Sequence, residues 1–382
     1  MDINVAVAGF NMTPCSSDLV TTRERMTFEL SSGLFDDLGI TRDDVGTYII
    51  ATNDFLDGRT ISNVFLDAPV GAYMKDESKV EMDGLNALMY ACMRIMTGQY
   101  ETALVLAFGL TGYQVSPYLH IDYIMDPTYD RQVKLLNELS AAALQARCYL
   151  DKFGYSEELL DEIAAKDLSN AALDPYQLRQ LSDISKEKVK GSDYLYEPLR
   201  ELHCYPPTDG GIVVLLASGE KAKELTDKPV WIKGMGQSID PYYIGDRDLS
   251  VSPSTTQAAK RAYDMAGITD PKGQVDVAEI SSLFACQEPL LAEALGLLDQ
   301  GRAADVYASG DTAIDGKLPI NPSGGPLGAH PICATGLLRM AEAVRQLRGE
   351  AEKNQVAKAE TAVVHGQDGV CAQQNVVVVL GT

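Results

Sequence analysis

Basic residues are scarce in this chain: 32 Lys and Arg stand against 54 Asp and Glu, a formal net charge of −22 over 382 residues. A surface this acidic argues against nucleic acid or an anionic membrane as partner, because both require a basic face. It fits a partner with a basic surface, although a well-solvated acidic protein is the plainer account. No apolar run reaches the roughly 18 residues that span a bilayer. No CxxC pair exists among the seven scattered cysteines, which argues against a structural zinc site and for reduced thiols in a cytoplasm. The first residues, MDINVAVAGFNMTP, lack a basic n-region and read as a buried strand rather than a signal peptide. Low-complexity tracts and long flexible linkers are missing too.

What is present is ordinary soluble composition, 46% hydrophobic and 23% charged, on a length that suggests two or three domains. Apolar, β-branched runs recur as candidate strands: INVAVAGF, TYIIAT, ETALVLAFG, GGIVVLLAS, VWIKGMG, DVAEISSLF, TAVVHG and NVVVVLGT. Helical patterns lie between them. GLNALMYACMRIMTGQY places Leu85, Leu88, Met89, Cys92, Ile95 and Met96 on one stripe and stops at Gly98. Strands alternating with helices predict an α/β protein with sheets covered on both faces. A weak echo relates residues 34–109 to 255–313, the helix from Gly84 matching one from Glu288. Two such halves give lobes at 1–225 and 226–382, with a helix-rich insertion at about 112–203.

The most specific stretch is NPSGGPLGAHPICATG, Asn321 to Gly336. It holds His330 in a stiff glycine- and proline-rich loop directly before the helical run GLLRMAEAVRQL. This stretch resembles the NPxGG…GHPxGATG block of the thiolase superfamily. Asp209-Gly210-Gly211 with IVVLLASGEKAKEL, the helix KFGYSEELLDEIAAKDLSNAALDPYQ, and DVAEISSLFA resemble further thiolase segments in the right order. The resemblance covers nearly the whole length and is nearest to sterol-carrier and archaeal-type thiolases. It implies a pseudo-symmetric five-layer αβαβα fold with a helical insertion, and chemistry on CoA thioesters.

Measured against that family, the chain departs at three places. The nucleophilic cysteine belongs in a C-x-S-G frame at a helix start, where the N-terminus lowers a thiol pKa. Here the frame reads Glu81-Met82-Asp83-Gly84, and Cys92, eleven residues on, reads as core. The NEAF or HDCF segment reads Ser281-Ser282-Leu283-Phe284; Ser281 can donate one hydrogen bond or can simply end a strand. The final CxGxG loop reads VVHGQDGVC, which puts His365 near the family's acid/base cysteine, with Gly369 and Cys371 beyond it. His365 is expected to move a proton near neutral pH. Cys371 either turns into the pocket or does not.

His330 is the retained member. By resemblance it stabilises the enolate oxygen, and the backbone at Gly328 and Ala329 lets amides approach a thioester oxygen. The resemblance implies coenzyme A as co-substrate, no permanently bound cofactor and no metal in this chain. It also implies a homodimer, paired around ETALVLAFG, that works with a small zinc-finger and OB-fold subunit carrying the only zinc. The expected reaction is CoA-dependent C–C cleavage of a β-ketoacyl-CoA without an acyl-cysteine, with Glu81 or His330 as base and His365 as acid. An aromatic acyl group, as in thiolase subunits that split benzoylsuccinyl-CoA, suits such a site. A catalytically silent scaffold subunit, or a conventional thiolase using Cys92 or Cys371, are the alternatives.

Overall fold

The computed structural model describes residues 3–113, 123–132 and 136–382. The strands of its large sheet are β1 Val5–Met12, β2 Thr47–Ala51, β3 Asp76–Val80, β4 Thr102–Gly109, β5 Gly210–Ser218, β6 Val230–Ile239, β7 Val277–Ile280, β8 Thr361–Asp368 and β9 Gln374–Gly381. The longer helices are α1 Arg23–Leu38, α2 Gly84–Met96, α3 Glu138–Phe153, α4 Glu158–Ala171, α5 Pro253–Ala266, α6 Gln287–Ala294 and α7 Thr335–Arg348. The strands run in the order β3-β2-β4-β5-β1-β6-β9-β8-β7.

Two halves with one topology meet in the middle of that order. In the first, β5 lies antiparallel between β1 and β4, and β4 is parallel to β2. In the second, β9 lies antiparallel between β6 and β8, and β8 is parallel to β7. Only two residue pairs, Ala6–Trp231 and Val7–Val230, join β1 to β6. This short seam lets the two sheets diverge and enclose helices.

Strand alternation explains the layers. On β4, Ala103, Val105 and Ala107 enter the same core as α2 and α7, while Leu104, Leu106 and Phe108 join the core under α1. On β8, Ala362 and Val364 face the central helices, while Val363 joins a third core with α3, α4, α5 and α6. A period of two residues sends successive side chains to opposite faces. Three cores between five layers follow, as the αβαβα expectation requires. In the middle layer Leu85, Leu88, Cys92 and Ile95 are buried, each Leu or Ile contributing about 2 kcal/mol.

Three expectations need correction. The counterpart of α2 in the second half is α7, the other central helix, and not the helix near Glu288; α6 is an eight-residue helix packed into the outer core. The echo failed there because irregular chain fills most of residues 295–334. Strand β4 is paired on both sides, to β2 and β5, so a second copy cannot pair along it. The edge of that half is β3, whose polar sequence DESKV gave no strand signal because one side is left to solvent.

Candidate functional site

The site forms where the two central helices begin. Asp83 caps α2: its Oδ1 accepts from Leu85 N at 2.9 Å, and its Oδ2 accepts from Gly336 N, in the first turn of α7, at 2.8 Å. One carboxylate thus stitches both helix starts together, where the dipoles favour an anion. A Cβ on Gly336 would sit 1.9 Å from Asp83 Oδ1, and one on Gly84 2.7 Å from Leu337, so only glycine permits this approach. Burial pushes the Asp83 carboxyl up to about 7, against the pull of the backbone N–H groups.

His330 stands beside this junction. Asn321 holds its loop, accepting from Ile280 N at 2.7 Å and donating to Glu288 at 2.6 Å. His330 N donates to Thr208 Oγ1 at 3.1 Å, and its Nδ1 lies 2.7 Å from Thr335 Oγ1. Since the Thr335 hydroxyl donates to Pro331 O at 3.1 Å, it receives the Nδ1 proton and leaves the Nε2 lone pair as the basic atom. Burial, with the Arg339 cation adding to it, lowers the imidazole pKa to about 3, so the ring is neutral at physiological pH.

A two-lobed cleft meets at His330, Ile332 and Glu138. The narrower lobe, about 70 Å³, is acidic, bordered by Glu81, Asp83, Cys333 and Asp368. The wider, about 310 Å³, is bordered by Leu139, Arg179, Leu195, Cys204, Tyr205 and Pro207. Tyr205 stands edge-on to the His330 ring, centroids 4.4 Å apart, and donates to Glu138 Oε2 at 2.6 Å. Burial raises the carboxyls of both Glu138 and Asp368.

The structure brings together some of the predicted residues and separates others. His330, Glu81 and Gly369 border the narrow lobe. Glu81 is half exposed and already committed, accepting from Asp54 N at 2.8 Å and pairing with Lys79 at 3.2 Å. Gly328 and Ala329 do not border it; a Cβ on Gly328 would meet Gln177 at 2.5 Å and Ala171 at 2.8 Å, and Ala329 is buried in extended backbone. Their role is close packing behind the histidine.

His365 is placed elsewhere. It follows Val363 on the outer face of β8, and its Nε2 meets Asn375 Oδ1 at 2.9 Å. Asn375 in turn donates to Ser254 on α5 at 2.7 Å. The ring is fully buried, its pKa lowered to about 4 by desolvation. Ser281 is equally buried, its N–H on His365 O at 3.1 Å and its hydroxyl without a partner among the described residues. Cys371 points into a small core, donating to Ala141 O at 3.3 Å.

Sequence reasoning missed Glu138, Tyr205, Cys333 and Asp368 as cleft residues. Glu138 and Tyr205 enter from or beside the insertion, whose helical pattern carried no chemical signal. Cys333 has a φ of 71°, which explains the glycine usual in that frame, and its thiol borders the cleft. All seven cysteines are free, and burial raises every thiol pKa: Cys15, Cys92, Cys204 and Cys371 to about 12, with Cys148, Cys286 and Cys333 also raised. No helix among the described residues is long and apolar enough to cross a membrane, and none of their His, Cys, Asp and Glu side chains cluster as metal ligands.

Residues 236–382 match the family described as thiolase C-terminal domain-like. The chain has the thiolase fold. It is 29% identical to the acetyl-CoA acetyltransferase of Methanothermobacter thermautotrophicus, over 96% of each chain. It is 30% identical to the benzoylsuccinyl-CoA thiolase subunit BbsB of Thauera aromatica, over 61% of this chain and 60% of that one. The 34% identity to sterol carrier protein 2 of Oryctolagus cuniculus spans only 40% of that protein. The Ltp2-ChsH2(DUF35) aldolase superposes over the full chain and 98% of its own, with a TM-score of 0.85 at 24% identity, a likeness of fold. Together these findings support the thiolase superfamily.

Proposed function

We propose that this chain is a thiolase-type acyltransferase subunit that cleaves the C–C bond of a β-ketoacyl-CoA without an acyl-cysteine. The observation that carries the reading is the pairing of a neutral His330, its Nε2 lone pair left as the basic atom, with seven thiols that burial keeps protonated. The CoA thiol gives its proton to His330 Nε2, the thiolate attacks the β-carbonyl, and the Cα–Cβ bond breaks to leave the enolate of the shorter acyl-CoA. Direct attack forgoes covalent catalysis, and positioning in the cleft supplies the compensation. The wide lobe offers room for a bulky or aromatic acyl group, in keeping with the likeness to BbsB.

The likeness to BbsB, a thiolase subunit, and to the Ltp2-ChsH2(DUF35) aldolase supports a small partner here, expected to carry zinc. A homodimer is part of the same reading, with β3 the open edge available to a second copy. The seven free cysteines favour a cytoplasmic location. Retro-aldol cleavage of a β-hydroxyacyl-CoA is the second reading, favoured by the same protonated thiols and by the aldolase likeness. There His330 takes the hydroxyl proton and no free CoA is consumed.

One experiment separates these outcomes. The full chain, alone and co-expressed with its small subunit, is given β-ketoacyl-CoA with CoA, or β-hydroxyacyl-CoA without it, and products and protein are analysed by mass spectrometry. Cleavage that requires CoA supports the thiolytic reading; cleavage of the hydroxy compound alone supports the aldol one. An acylated cysteine on omitting CoA sinks both non-covalent routes. Absence of any turnover with the partner present supports a silent scaffold.

A further inference from the structure

We propose that Glu138 is a second proton-transfer group of this cleft, the catalytic acid opposite His330, and that Tyr205 is its positioning residue. The proposal rests on the acyl-CoA reading above. Glu138 opens α3 and borders both lobes, as His330 does. The Tyr205 phenol donates to Glu138 Oε2 at 2.6 Å while its ring stands edge-on to His330 with centroids 4.4 Å apart, so one side chain fixes the two groups relative to each other. Glu138 has no ion-pair partner among the described residues. Burial alone raises its carboxyl, and the Tyr205 bond pulls it back. Among the described residues, the other titratable or charged groups around it are Arg179, Glu201 and Cys204 in the wide lobe, Glu81, Asp83, Cys333 and Asp368 in the narrow lobe, and Cys371 packed against α3.

The chemistry needs such a group. As the Cα–Cβ bond breaks, its electron pair passes into the enolate, which must gain a proton at Cα. The Glu138 O–H bond supplies that proton and its electrons stay on the carboxylate. The anion is then held by the Tyr205 O–H and by the start of α3. The proton that His330 took from the CoA thiol, or from a β-hydroxyl, returns through solvent to reset Glu138. Mass and charge balance over the cycle.

The reverse half-step gives a direct test: the full chain with acetyl-CoA in D2O, following deuterium at the acetyl carbon by NMR. Wild type is expected to exchange, and Glu138→Gln to exchange about 100-fold more slowly with unchanged acetyl-CoA affinity. Tyr205→Phe is expected to keep exchanging with its pH profile displaced to higher pH, because losing the donated bond raises the Glu138 pKa. A purely structural Tyr205 would lower the rate without displacing the profile. Glu138→Gln exchanging at the wild-type rate, or an unmoved Tyr205→Phe profile, overturns the proposal. Should wild type not exchange at all, the acyl-CoA reading fails on its own, and the infrared carboxylic-acid band that Glu138→Gln removes becomes the arbiter. A band titrating near neutral pH supports a proton carrier at Glu138; a carboxylate ionised throughout that range overturns it.

Discussion

His330 and His365 share a sheet-and-helix framework, burial and a pKa held well below the ordinary 6.5, yet only His330 borders the cleft. His330 precedes a central helix, gives Nδ1–H to Thr335 and keeps its Nε2 lone pair at the meeting point of two cavity lobes. His365 lies on β8, on the face turned away from the central helices, and its Nε2 meets an Asn375–Ser254 chain. His330 sits in a loop, whereas strand parity places His365. Val364 faces the central layer, so His365, the next residue, faces the outer one. A histidine in a buried strand is therefore a site residue or a core residue according to a single step in register.

The sharpest way to break this comparison is to remove each ring. His330→Ala should lower turnover about 1,000-fold in the CoA-dependent cleavage assay while circular dichroism stays unchanged. His365→Ala should do the opposite, costing about 2–4 kcal/mol in urea unfolding, because Asn375 Oδ1 loses its partner and a cavity opens, with turnover little changed. Turnover lost at unchanged stability in His365→Ala would restore the proton-transfer role expected from the sequence.

The two acidic residues before α2 extend the test. Asp83→Ala should destabilise by about 2 kcal/mol, since it leaves N–H groups at the starts of both α2 and α7 uncapped. A smaller effect is expected with pH. Both imidazoles are protonated more readily in the unfolded chain, at about 6.5, than in the folded one. Their contribution is therefore complete above that value and is lost as pH falls from 6.5 toward about 4 for His365 and about 3 for His330. His365→Gln should accordingly flatten part of this acid limb in a pH series of unfolding curves. Glu81→Gln should change least, within about 1 kcal/mol and with turnover retained, because its carboxylate is half exposed and paired with Lys79. A large loss of turnover there would return Glu81 to the chemistry.

Much of the fold was legible because burial leaves a periodic mark. The eight apolar runs all became strands, and the stripe from Leu85 to Ile95 became the buried face of α2. Strand β3 was illegible, since an edge strand open to solvent need not alternate. The site was legible only in part. The loop around His330 was found because glycine, proline and histidine at fixed spacing are unusual chemistry. Glu138 and Tyr205 were missed because a glutamate at a helix start and a tyrosine before a proline are common anywhere, and only the folded insertion sets them against His330.

By itself the sequence determined the layered α/β body and the glycine- and proline-rich loop of His330, because each is local: a period, a spacing or a residue type. The tertiary structure alone decided which face of β8 carries His365, that Asp83 joins two helix starts, and that the insertion completes the cleft. Those depend on register and on contacts between residues more than a hundred positions apart, which no local pattern encodes.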